Sequence, residues 1–333
     1  MTPPPRIVRR VVLGPAVVLC TVFLLTTLPG WLVVAAALSP LLPGKWRALR
    51  VLWVATVALV LESVVLVALL GLWIGAGFGL ALRTPFFQYL HYRLVGWFLR
   101  VLYRAASRVL GLRVQVEGPH PDDYHDRPLV VACRHAGPGD SFLLIHALVN
   151  WYDREPRIVL HERLQWDPAI DVVLNRLPNR FVRGGGGHLE RRITELATGL
   201  DDDDAFVIFP EGGNFTERRR LAGIERLRAR GLEEMARRSE QMRHVLPPRP
   251  RGFTAALAAA PDADVVWVAH AGLDHLFTMA DVWRELPLDT TVRMRFWRVP
   301  AAEVPRDRDE QVAWLWDWWT RIDAWVDEVR SAG

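Results

Sequence analysis

Two long apolar runs at the start of the chain constrain its fold more than any other feature. Residues 11–43 hold no charged side chain and are interrupted by Pro29-Gly30. Residues 51–82 hold one, Glu62, with glycines at Gly71, Gly75, Gly77 and Gly79. A helix needs about 20 residues to cross a hydrocarbon core of ~30 Å, so each run has room for a span with residues left over. The flanks favour another arrangement. Arg6, Arg9 and Arg10 precede the first run, Lys45, Arg47 and Arg50 separate the two, and Arg83, Arg93 and Arg100 follow. Basic flanks prefer the cytoplasmic side, and all three are basic. Two re-entrant hairpins on legs of about 15 residues therefore satisfy the charges better than two straight spans. Either arrangement returns the chain to its starting side, which places the remainder on the cytoplasmic face of the cell membrane. Glu62 at membrane depth is costly unless paired, and a nearby arginine or a protein-facing position explains it more simply than a lipid entry path.

Residues 86–109 interleave Tyr89, Tyr92, Trp97 and Tyr103 with Arg93, Arg100, Arg104 and Arg108, the pattern of an amphipathic helix at the membrane surface. The expected organisation is residues 1–108 as membrane-embedded and interfacial helices and residues 109–333 as a catalytic domain. At 333 residues the chain accommodates both. Its 51% hydrophobic content is high for a soluble enzyme and low for a polytopic transporter. Lys45 is the only lysine among 41 basic residues. Arginine grips phosphate with two prongs, so this bias suits phosphorylated substrates or anionic headgroups, although codon usage explains it equally well. The two cysteines, Cys20 and Cys133, offer neither a disulfide framework nor a zinc site, and no secretory signal is evident. No cofactor, metal or nucleic-acid partner is expected.

In the second region, residues 112–116 alternate as a strand and residues 129–133 form a short apolar run typical of a buried one. His135 follows directly. Gly137, Pro138 and Gly139 make a turn, and Asp140 opens a helix reaching about Trp151. This puts His135 at a strand's carboxyl end, where open α/β sheets carry their sites. Asp140 can fold back onto one ring nitrogen and leave the other free to take a proton from an alcohol. Residues 205–209 form a second buried strand with Pro210-Glu211-Gly212-Gly213-Asn214 as its exit turn. Arg183 follows Arg180-Phe181-Val182 and precedes four glycines, a setting suited to a phosphate. Residues 217–243, with nine arginines and five glutamates, read as one amphipathic helix. The acidic run 201–204 reads as a solvated turn. Trp314, Trp316, Trp318, Trp319 and Trp325 lie on a C-terminal helix, where packing onto the domain accounts for most of them.

The His135-x4-Asp140 block, Phe181-Val182-Arg183 and Phe209-Pro210-Glu211-Gly212 together resemble the signature of the glycerolipid acyltransferases. The likeness continues through 246–253, and several terminal segments are similar to the branch containing lysocardiolipin and lysophosphatidate acyltransferases. The resemblance implies a mixed α/β sheet flanked by helices. It implies transfer of a fatty acyl group from acyl-CoA, or from acyl carrier protein, to the free hydroxyl of a lysophospholipid. It makes His135 the base, Asp140 its partner, Arg183 a phosphate ligand and Glu211 a substrate-binding acid, with Gly212, Asn214 and Arg219 around the acceptor. Two departures stand out. Arg134 occupies a position usually held by a small polar residue, and Gly213-Asn214 replaces the usual Thr-Arg or Thr-Asn. Arg218, Arg219 and Arg220 offer a substitute for the missing arginine. Two rival readings remain: a lipid esterase using Ser141, with Asp122 and His125 as partners, and a non-catalytic lipid-binding scaffold.

Overall fold

The computed structural model describes residues 2–42, 46–119, 127–182, 189–272, 283–284 and 288–332, with Leu110, Pro138 and Asp140 described by backbone alone. The chain divides into two compact units. The first takes in Met1–Arg113, Val159–Gly186 and Thr278–Thr290, and the second takes in Val114–Ile158, Gly187–Phe277 and Thr291–Gly333.

In the first unit each apolar run is one helix, which corrects the re-entrant hairpins expected from the flanking charges. A π-helical segment, Val8–Leu13, continues into α1, Gly14–Leu38, with Pro29 inside it. After a short connection comes α2, Arg47–Gly75, uninterrupted over 29 residues. In an apolar medium a broken helix leaves carbonyls and amides without partners, and that cost outweighs the local preference of Pro-Gly for a turn. At 1.5 Å per residue α2 reaches about 43 Å, enough to cross a bilayer core. Both helices are long and apolar enough to do so. Hydroxyls join them: Ser63 Oγ donates to Thr21 Oγ1 at 2.8 Å, and Thr21 Oγ1 donates to the Leu59 carbonyl at 3.2 Å. The amphipathic helix expected over 86–109 is α3, Pro85–Leu110.

The same unit contains α5, Pro168–Leu174, which follows the helix α4 described below. Leu69 of α2, Tyr92 of α3 and Val172, Val173 and Leu177 from the α5 segment make its apolar core. Asp171, with no exposed surface, accepts from Arg9 Nη2 at 2.8 Å and from Arg10 Nε at 3.3 Å. Gln165 and Asn175 donate to the same carboxylate. Two arginines of the first basic flank are thus tied to a protein carboxylate. Replacing Asp171 by Ala leaves Arg9 buried without its counter-charge, a change that costs about 3–5 kcal/mol. Thermal unfolding of the full chain in detergent should show a large loss of stability for Asp171→Ala and a small one for Glu195→Ala, whose surface pair with Arg191 is worth about 0–1 kcal/mol. Equal midpoints would contradict this role for Asp171.

The strands are β1 (Arg113–Glu117), β2 (Leu129–Cys133), β3 (Glu155–His161), β4 (Arg180–Val182), β5 (Asp204–Ile208), β6 (Asp264–Ala271) and β7 (Thr291–Val299). They form a mixed seven-stranded sheet ordered β1-β7-β6-β2-β5-β3-β4, flanked by helices as expected. β2 lies at its centre, parallel to β5 and β6, and every residue of these three strands is buried. β7 runs antiparallel to β6, pairing Trp297 with Trp267. α4, Pro138–Asn150, follows β2, and α6, Leu189–Ala197, precedes β5.

Two local expectations are revised in the second unit and one holds. Residues 217–243 form two helices, α7 (Glu217–Arg228) and α8 (Glu233–Gln241). Gly231 between them adopts φ +73°, which a glycine tolerates and a helix does not. Asp204 is no solvated turn residue: it is buried at the start of β5, bound by both prongs of Arg157, one at 2.7 Å. The last helix, α10 (Arg308–Ser331), follows α9 (Pro250–Ala259) and buries Trp316, Trp318, Trp319 and Trp325. Trp318 stacks on Trp267 with ring centroids 5.2 Å apart, so packing onto the sheet does account for most of these indoles.

Candidate active site

Parallel pairing places three chemically active side chains at one edge of the sheet. The register aligns Ala132 with Ile208 and Cys133 with Val268, so the carboxyl ends of β2, β5 and β6 coincide. His135 leaves β2, Glu211 leaves β5, and His270 sits near the end of β6. The exit turn of β5 is fastened to the histidine, because the Phe215 amide donates to the His135 carbonyl at 2.7 Å. The His135 ring packs on Phe209, centroids 4.5 Å apart.

Glu211 is only 1% exposed. Its Oε2 accepts from the His135 amide at 3.3 Å, and its Oε1 accepts from the Leu246 amide at 3.4 Å. Burial raises its pKa to about 8 despite the nearby Arg134 guanidinium and these two amides. Arg134 is fully buried too. Its Nε donates to the His244 carbonyl at 2.9 Å and its Nη1 to the His270 carbonyl at 2.6 Å, while His270 Nε2 lies 3.0 Å from the Arg134 carbonyl. The unusual residue ahead of the histidine is therefore a buried strut that joins β2, β6 and the segment before α9.

His135 has a different environment. Its Nδ1 is buried without a hydrogen-bond partner among the described residues. Desolvation, then the nearby His270 and Arg219, pull its pKa down to about 4. At neutral pH the imidazole is thus unprotonated and available as a proton acceptor. Asp140 lies in the first turn of α4, with only its backbone described. Arg183 lies outside the described residues, as do Asp122 and His125 of the esterase reading. Ser141 lies on α4 immediately after Asp140.

The turn after Glu211 needs its glycine. Gly212 adopts φ +67° and donates to the Phe209 carbonyl at 3.0 Å, closing the chain tightly past β5. Asn214 contributes its carbonyl, which accepts from Arg219 Nη1 at 2.9 Å. Of the three arginines that open α7, Arg220 is committed elsewhere. It pairs with Glu217 and donates to the Ser239 and Met242 carbonyls. Arg219 alone of the three is shown folding back over the turn. Thus His135, Glu211, Gly212, Asn214 and Arg219 are linked around the exits of β2 and β5.

Sequence reasoning missed three contributors. His270 was signalled by a polar residue inside the apolar strand Val265-Val266-Trp267-Val268-Ala269. Arg249 carries no such signal: its amide donates to the Pro210 carbonyl at 2.8 Å, which puts its side chain on the Gly212 turn. His244 was equally silent, and its amide is held by Asp323 of α10 at 2.6 Å.

An uncharged histidine at the central strand's exit is chemically able to accept a proton. Residues 113–260, somewhat under half of the chain, match the family model described as Acyltransferase, which supports the glycerolipid acyltransferase family for this domain and acyl transfer as its chemistry. No curated protein and no solved structure matches the chain in the same comparisons.

Removing the Glu211 carboxylate strands two buried amides, each at about 1–3 kcal/mol. Glu211→Ala should therefore lower the unfolding midpoint well below that of Asn214→Ala, which keeps the backbone carbonyl that Arg219 uses. Similar midpoints would show that Glu211 bears no structural load.

Proposed function

We propose that the protein transfers a fatty acyl group from acyl-CoA to the free hydroxyl of a lysophospholipid, with His135 as general base and Asp140 as its partner. The observation that carries this reading is the neutral, desolvated imidazole at the exit of β2, latched to the Phe209-Pro210-Glu211-Gly212 turn in a domain that matches the acyltransferase model. The acceptor hydroxyl gives its proton to His135 as its oxygen attacks the thioester carbonyl. The tetrahedral intermediate then expels the CoA thiolate, which recovers that proton from the imidazolium, leaving an ester and a free thiol. Backbone amides of 137–139 at the start of α4 suit the developing oxyanion. The imidazolium charge, unfavourable in a buried site beside cations, is balanced by Asp140. Arg183 holds a phosphate.

The two long apolar helices support a membrane-bound enzyme. Its catalytic domain is proposed to lie on the cytoplasmic face, where acyl-CoA is soluble. The acceptor then arrives from the bilayer and the donor from water, and closure around both excludes the hydrolytic competitor. Glu211, the acid that the family likeness assigns to substrate, acts here through the backbone it holds.

His135→Ala should abolish transfer from radiolabelled acyl-CoA to a lysophospholipid panel in detergent, and Asp140→Asn should lower kcat by about a hundredfold or more. Full activity in His135→Ala would refute the assignment. The low pKa of the free enzyme's imidazole fixes the acid limb of kcat/KM. The base remains unprotonated as pH falls through the ordinary histidine value near 6.5 and is lost only near pH 4. Stability follows the same sign. The unfolded chain takes up a proton below about 6.5 that the fold refuses until about 4, so folding weakens as pH drops through that window. A kcat/KM limb at 6.5 that moves with solvent exposure of the ring would contradict the buried base.

A further inference from the structure

The histidine at the exit of β2 is bracketed by two side chains that end on one short stretch of chain. Arg134, the residue before it, donates from Nε to the His244 carbonyl at 2.9 Å. Glu211, which accepts from the His135 amide at 3.3 Å, also accepts from the Leu246 amide at 3.4 Å. Residues 242–249 belong to neither helix nor strand, so no ladder fixes this stretch in place. Its hold comes from the C-terminal helix. One carboxylate of α10, Asp323, accepts from two consecutive amides: Arg243 at 3.1 Å on Oδ2 and His244 at 2.6 Å on Oδ1. Asp323 is 7% exposed. Burying a carboxylate is unfavourable unless hydrogen bonds compensate it, and here both donors belong to the segment that Arg134 and Glu211 grip. Asp327, one turn later on α10, shows the contrast. It is exposed and reaches the His244 ring, at 2.9 Å from Nε2, rather than the backbone.

We infer that Asp323 is a positioning residue for His135: by pinning residues 243–244 it fixes the platform from which Arg134 and Glu211 set the histidine's place at the end of β2. Arg134 also donates from Nη1 to the His270 carbonyl at 2.6 Å, so the same platform locates the second histidine. The His135 ring packs on Phe209 of the β5 exit and feels His270 of β6 and Arg219 of α7. Displacing its backbone alters both its burial and its approach to those groups, so loss of the clamp changes the base as well as the fold. Asp323 lies beyond residues 113–260, which match the acyltransferase model. The inference deepens the acyl-transfer reading and rests on it for the reaction that the histidine performs.

The test compares Asp323→Asn, Asp323→Ala and Asp327→Ala in the full chain in detergent. With lysophosphatidate and oleoyl-CoA, Asp323→Asn should lower kcat about tenfold and Asp323→Ala about a hundredfold, the size expected when a reacting group is misplaced by about 1 Å. KM for both substrates should stay within about twofold, because Asp323 acts on the base and binds neither. Asp327→Ala should match wild type. The second readout needs no turnover: titration of the His135 ring by nuclear magnetic resonance of carbon-labelled histidine, assigned with His135→Gln. The wild-type ring titrates near pH 4, and Asp323→Asn should move it up towards the ordinary value near 6.5. Asp323→Asn keeps one acceptor oxygen for the His244 amide and serves if the alanine variant does not fold. A lowered unfolding midpoint with kcat and ring titration unchanged overturns the inference, as do equal effects in Asp327→Ala. A shifted titration in a protein that transfers no acyl group sinks the enzymatic reading and keeps the positioning role. Transfer at the wild-type rate in Asp323→Asn, with the titration unmoved, does the opposite.

Discussion

The carboxyl-end edge of the sheet, where His135 sits, depends on one carboxyl group that faces away from solvent. Glu211 joins the exit of the central strand, through the His135 amide, to the segment that enters α9, through the Leu246 amide. Neither segment has a regular ladder to hold it there. A buried carboxylate is expensive, and two devices reduce the cost. Arg134 brings a buried positive charge close by, and burial raises the Glu211 pKa to about 8, so the group is largely protonated at neutral pH. A neutral carboxyl still presents an acceptor oxygen. The arrangement therefore holds two backbone amides without requiring a full charge in the core.

Arg134 makes this economy possible and also explains itself. A small polar residue before the histidine would leave the His244 and His270 carbonyls to find other donors. Arginine reaches both from β2, while Asp323 on α10 fixes the amides of Arg243 and His244 from the far side. A departure from the usual pattern thus comes with partners arranged for it, on elements distant in sequence. The N-terminal unit follows the same logic. Asp171 holds Arg9 and Arg10 within the protein, where the sequence showed only a basic flank before an apolar run.

What was legible in the sequence was what local pattern controls. The apolar runs at 129–133 and 205–209 became the buried strands β2 and β5, while α4 begins at Pro138, two residues before the expected start at Asp140. The expectations that failed did so where a nonlocal medium or partner decided. Pro29-Gly30 read as a break because such a pair turns in water; an apolar surrounding makes the unbroken helix cheaper. Asp204 read as solvated beside three other aspartates, and only the pairing of β3 with β5 brings Arg157 to it. Gly231 was a visible breaker, outweighed in the reading by the charge pattern on both sides. His135 and Glu211, named from local blocks, are joined by a hydrogen bond, yet Arg249 and His270 entered through tertiary pairing that no spacing rule encodes.

The base and Arg219 are electrostatically linked, and the link has a direction. Arg219 is one of the charges that depress the His135 pKa, after desolvation and His270. An anion brought close to Arg219 cancels part of that field and so raises the basicity of the imidazole. Covering the site would also exclude water and strengthen whatever interactions remain. On the proposed reading, a free enzyme keeps its histidine uncharged and weakly basic. A phosphate-bearing substrate then restores proton affinity at the moment a hydroxyl is present to give up its proton. Since the depressing groups lie on β6 and α7, and not on α4, they set the strength of the base independently of Asp140. Burial, His270 and the Arg219 charge thus act together to keep the ring unprotonated.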